Sequence, residues 1–163
     1  MGRLGMNQKL VGVALKRSKN SEILVLFDLN EIIASGRDLE RETSKLRKIY
    51  ERHIEKIKSK LEEINQLKRR KEKILAVQMW ELGDLIFKML KDFENTGYFL
   101  ESLYETLKDE FGISRSSLEK IISLRTSAES KTKIPPNLSW REVRSAPKKY
   151  FRELNAKNKR SDK

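Results

Sequence analysis

Residues 46–67 read LRKIYERHIEKIKSKLEEINQL. Apolar side chains recur there at intervals of three and four, at Leu46, Tyr50, Ile54, Ile57, Leu61, Ile64 and Leu67, and Ile74 follows seven residues later. That spacing is the repeat of an α-helix with one apolar stripe. No Gly or Pro interrupts residues 37–82, a stretch of 46 residues that as one helix spans roughly 69 Å at ~1.5 Å per residue. A helix cannot bury its own stripe, so the pattern requires either a coiled-coil homodimer or a fold-back onto the same chain. No other segment is as long, and the coiled coil is therefore expected, with those seven residues from Leu46 to Leu67 as dimerisation contacts.

C-terminal to the stripe the pattern changes. Residues 75–93 are apolar on several sides, as a buried helix is. A helix over residues 98–110, a stop at Gly112 and a helix capped by Ser114 follow. Ser139 and Glu142 have the spacing of a capping box before Trp140. N-terminal to the stripe, two apolar runs at residues 9–15 and 22–29 flank a polar turn and predict a β-hairpin. The expected fold class is mainly α: an N-terminal β-hairpin, a long coiled-coil helix and a C-terminal helix-turn-helix-like domain. The boundaries are 1–36 for the hairpin with a short helix, 37–75 for the coiled coil, 76–154 for the helical domain and 155–163 for a disordered basic tail.

Leu107, Gly112, Ile113, Leu118 and Ile121 are the most specific constellation. A helix-turn-helix needs an inward apolar residue ending its first helix, a permissive turn residue, an apolar plug and two inward residues on its second helix. Lys108, where a small residue is usual, departs from the pattern. The outer face predicted for the second helix is Arg115, Ser116, Ser117, Lys120, Ser123 and Arg125, with Glu119 its one acid. Arg and Lys pair with phosphates or guanine edges, and Ser hydrogen-bonds phosphate. The preceding helix carries Glu101, Glu105, Asp109 and Glu110 and is repelled by a polyanion. Lys68, Arg69 and Arg70 on the long helix, and Lys148, Lys149 and Arg152 near the C-terminus, are further candidate phosphate contacts.

The net charge is +12 over 163 residues, but it is segregated. Residues 1–36 carry five basic and three acidic groups, 37–75 fourteen and eight, 76–113 three and eight, and 114–163 fourteen and five. An acidic block sits between two basic ones, which points to nucleic acid as partner, duplex DNA first.

Other classes find little support. Cys is absent and His53 is the single histidine, so a catalytic triad or a Cys- or His-rich metal site is not available within one chain. No acid–base pair stands out, and no catalytic residue, metal or cofactor is expected. The longest apolar run is five residues, far short of the ~18 of a membrane span, and no signal peptide is visible. A cytoplasmic, nucleoid-associated protein is expected. Trp80 and Trp140 could stack bases, but both sit in apolar patterns and are expected to pack in the core.

Trp80-Glu81-Leu82-Gly83-Asp84-Leu85-Ile86 resembles the W-x-(I/L)-G-x-x-I segment in the helical N-terminal domain of YhcG-like proteins, where a PD-(D/E)XK nuclease domain follows. The resemblance runs through Gly97-Tyr98, Leu103, Leu107, Glu110-Phe111, Ile113-Ser114 and Leu118 to Leu138-Ser139-Trp140 and Arg144, and covers residues 74–154. It implies a helical DNA-recognition domain. No nuclease core follows in these 163 residues, so it implies binding rather than catalysis. The expected function is DNA binding by a coiled-coil homodimer, the alternatives being an adaptor that holds a protein partner on its long helix or an RNA-binding protein.

Overall fold

The computed structural model describes, with their side chains, residues 34–96, 107, 108 and 110–162. They form five α-helices and one 3-10 turn: α1 (Leu39–Arg69), α2 (Ala76–Asn95), α3 (Arg115–Ser127), the turn Lys131–Lys133, α4 (Trp140–Val143) and α5 (Pro147–Ser161). The fold is mainly helical. The expected N-terminal β-hairpin is corrected as a layer of this fold: two antiparallel strands are described in backbone alone, at Leu10–Arg17 and Glu22–Asp28, and the residues described with their side chains contain none.

Helix α1 starts at Asp38, whose carboxylate accepts the Glu40 backbone N–H at 3.0 Å. Glu40 and Glu42 in its first turn and Lys68 and Arg69 in its last complement the helix dipole. It stops earlier than expected. The Glu72 N–H reaches the Leu67 carbonyl and the Lys71 N–H the Lys68 carbonyl, a Schellman closure with Lys71 in the left-handed region at φ +56. The chain then reverses, and α2 runs back along α1.

The ion pairs record the antiparallel register: Lys60 meets Glu81, and both Arg52 and His53 meet Asp92. Leu46, Tyr50, Ile54, Ile57 and Ile64 are all at most 3% exposed within the single chain, and Leu61 packs partly buried against the same core. Leu67 is partly buried at the edge of the stripe. The coiled-coil dimer is thus corrected. The stripe is buried inside its own chain, against a core that includes Leu82, Ile86, Met89 and Phe93 of α2, and offers a second copy no continuous apolar seam.

Helix α3 crosses α2 at Gly83. A Cβ there would lie 3.0 Å from the Ile121 carbonyl oxygen and 3.1 Å from the Arg125 Cβ, so glycine sets the depth of the crossing. Trp80 is 7% exposed and donates its indole N–H to the Ala128 carbonyl at 2.8 Å, in the core as expected. Of the helix-turn-helix constellation, Gly112 adopts φ +66 and Leu107, Ile113, Leu118 and Ile121 are all buried. Most of the residues expected to form the first helix of that unit lie outside the described residues.

The capping box at Ser139 and Glu142 is present. The Ala76 N–H donates to the Leu138 carbonyl and the Trp140 N–H to the Ile74 carbonyl, which stitches the α1–α2 turn to α4. Pro147 opens α5, which packs on α3 through the buried Pro147 and Phe151. The tail expected to be disordered is helical to Ser161. No breaker follows Pro147, and Lys159 and Arg160 complement the dipole in the last turn.

Candidate nucleic-acid interface

Packing of α5 beside α3 leaves a trough between them. One stretch is lined by Ser116, Glu119, Lys120 and Ser123 from α3 and by Ser145, Ala146, Pro147, Lys148, Lys149 and Arg152 around the start of α5. The adjoining stretch is lined by Thr126 and Ser127 and by Lys148, Phe151, Arg152, Asn155, Ala156 and Lys159. Lys148 and Arg152 belong to both, so the trough is continuous along α5. Lys148, Arg152, Asn155 and Lys159 follow the i, i+4, i+7, i+11 spacing of a single helix face. The first turn of α5 opens with Ala146, which gives no side-chain cap, and its backbone N–H groups add partial positive charge at this end.

The candidate contacts on α3 divide. Ser116, Lys120 and Ser123 line the trough. Arg115 is exposed and pairs with Glu119 at 3.1 Å. The Ser117 hydroxyl sits 2.9 Å from that of the capping Ser114. Arg125 has to be withdrawn as a nucleic-acid contact. Its guanidinium binds Asp84 at 2.8 Å, with both side chains under a fifth exposed, and lies 4.8 Å from the Trp80 ring centre and 4.6 Å from that of Phe87. A charge sandwiched between two rings and paired with a carboxylate is part of the α2–α3 packing. Its position was legible: Arg125 lies seven residues after Leu118 and four after Ile121, on the inward face. Helix α3 is also not a solitary recognition helix, because α5 lies along the face carrying Ser116, Lys120 and Ser123.

Lys148, Lys149 and Arg152, expected as accessory contacts, form the other wall of the trough. Lys68, Arg69 and Arg70 are exposed at the end of α1 but outside the trough. Arg69 pairs with Glu62 at 3.1 Å and Arg70 with Glu72 at 3.6 Å.

Acids of the helical hairpin pair with part of its cations and with Arg125 and Lys131, whereas the cations of α5 have no acidic partner among the described residues. Burial alone raises the Glu81 pKa, but hydrogen bonds and charge from Lys60 and Lys131 outweigh it and hold the carboxyl below its ordinary range. Asp84 follows the same pattern, with Lys88 and Arg125 overcoming burial. Among the described residues, no salt bridge reaches Lys120, Arg141, Arg144, Lys148, Lys149, Arg152, Lys157, Lys159 or Arg160.

The arrangement presents hydroxyls, unpaired cations and a helix N-terminus along one trough, which suits a linear polyanion. Among the described residues, no group of three or more His, Cys, Asp or Glu side chains is placed to hold a metal, and no helix is long and apolar enough to cross a membrane. Comparison with protein-family models, curated proteins and solved structures finds no match to this chain.

Proposed function

We propose that this protein binds nucleic acid, duplex DNA first, by seating a phosphodiester backbone in the α3–α5 trough. The observation that carries the proposal is the convergence of Lys120, Lys148, Lys149, Arg152 and Lys159 with Ser116 and Ser123 on one continuous trough, none of those cations in a salt bridge among the described residues. Cations left without internal partners keep their full charge for a ligand, and each phosphate neutralised releases counterions. Hydroxyls and first-turn N–H groups fix the register of a backbone without reading its bases. The resemblance of residues 74–154 to the DNA-recognition domain of YhcG-like proteins points the same way. The protein acts as a monomer in this proposal, because its apolar stripe is already covered.

A binding titration against duplex DNA, single-stranded DNA and double-stranded RNA of equal length tests it. Salt-sensitive binding with duplex DNA preferred is expected. Equal, salt-insensitive responses to all three would remove nucleic acid as the partner and leave an adaptor role.

A further inference from the structure

A second groove opens between the α1–α2 turn and α4, lined by Lys71, Lys73, Ile74, Trp140, Arg141 and Arg144 together with Glu72 and Ser139. Its wall is firmly built. Backbone hydrogen bonds of 2.8 and 2.9 Å join Ala76 to Leu138 and Trp140 to Ile74, and the Lys73 ammonium donates to the Asn137 carbonyl at 2.8 Å. Trp140 packs against the core while remaining partly exposed in the groove. Trp80 differs: it is buried, and the Arg125 guanidinium lies over its ring. Among the described residues nothing occupies the Trp140 ring in that way, and no salt bridge reaches Lys71, Arg141 or Arg144. The one acid of the lining, Glu72, pairs with Arg70.

An aromatic surface surrounded by unpaired cations is the chemistry that holds a nucleotide, the base on the ring and the phosphate on the cations. The groove also adjoins the trough. Arg144 lines the first and Ser145 the second, and consecutive Cα atoms are about 3.8 Å apart.

We propose that the groove beside Trp140 is a subsite for an unpaired nucleotide of a strand whose neighbouring phosphates lie in the α3–α5 trough. The proposal rests on the trough being a nucleic-acid site. The base stacks on the Trp140 indole, and Arg141, Arg144 and Lys71 face its phosphates. A fully paired duplex offers the trough its backbone but leaves this subsite empty, so the ligand favoured is a duplex with a single-stranded end.

Intrinsic fluorescence of the full chain reads the subsite, since Trp140 is the one partly exposed tryptophan of the two. The protein is titrated with a blunt duplex, the same duplex bearing a short thymidine overhang, and thymidine monophosphate. The overhang is expected to quench emission and to bind roughly 5- to 150-fold more tightly than the blunt end, the range of one stacked base. Trp140→Leu should abolish both effects and keep the blunt-duplex affinity; Trp140→Phe, which retains a stacking ring, should keep the preference. Equal binding of both duplexes without quenching, or a preference that survives Trp140→Leu, overturns the subsite and leaves the trough standing. Quenching by the mononucleotide as strong as by the overhang overturns the strand assignment. Failure of both duplexes to bind overturns the trough and the subsite together.

Discussion

Lys71 closes α1 with its backbone at φ +56, where a side chain costs about 1–2 kcal/mol relative to the ordinary helical region. Glycine carries no such penalty but loses about 0.5–1 kcal/mol in unfolded-chain entropy. Lys71→Gly is therefore expected to stabilise the protein by up to about 1.5 kcal/mol, read as a higher urea midpoint at an unchanged m-value; a lower midpoint would contradict the strain assigned to this turn. Arg125 makes the opposite kind of prediction. Its pair with Asp84 is mostly buried and its guanidinium is held between Trp80 and Phe87. Arg125→Ala leaves Asp84 with Lys88 alone in a low-dielectric pocket and should cost about 2–3 kcal/mol. The nucleic-acid affinity of the folded fraction should not change; a loss of affinity at constant stability would return Arg125 to the interface.

At the scale of elements, the helical hairpin α1–α2 organises the fold. Ile57 and Ile64 are each at most 1% exposed inside it. Ile57→Asp with Ile64→Asp therefore should unfold the chain, seen as loss of helical circular dichroism, and sedimentation of the wild type should report a monomer; a folded variant half the mass of the wild type would restore the coiled-coil dimer. The Asp92 clasp across the hairpin makes stability depend on pH. The hydrogen bond with His53 is the main cause holding the Asp92 carboxyl below its ordinary range; burial opposes it, and the His53 and Arg52 charges reinforce it. Because folding lowers this pKa, its contribution is complete above the unfolded value of about 3.9 and disappears as pH falls through the folded value. Asp92→Asn should flatten that part of the acid-unfolding curve, and an unchanged curve would show that the clasp contributes nothing. The stripe at Leu46 to Leu67 was legible because burial imposes its 3.6-residue period whatever covers it. What covers it was not legible. The reversal at residues 70–75 uses Lys71 in a conformation that glycine usually marks, so neither Gly nor Pro announced it. Residues 155–161 likewise carry no apolar period, and their helicity continues from Pro147 without needing one.

Over the whole molecule, the charge segregation in the sequence becomes a division of labour among ion pairs. Carboxylates of α2 tie down cations of α1, α3 and the Lys131–Lys133 turn through Lys60–Glu81, Arg125–Asp84 and Lys131–Glu81, while the cations of α5 have no acidic partner among the described residues. The candidate residues on both walls of the trough, Lys120 and Lys148 to Arg152, could be picked from composition. Their union could not, because it depends on Gly83 setting the α2–α3 crossing and on Phe151 seating α5, contacts between segments distant in sequence. The salt dependence of duplex-DNA affinity, measured for the wild type and for Lys148→Ala with Arg152→Ala, tests the central claim most directly. Loss of two phosphate contacts should lower the slope of log K against log salt by roughly two units and leave the circular dichroism spectrum intact. A variant with the wild-type slope and affinity would contradict the claim that the α3–α5 trough holds the backbone.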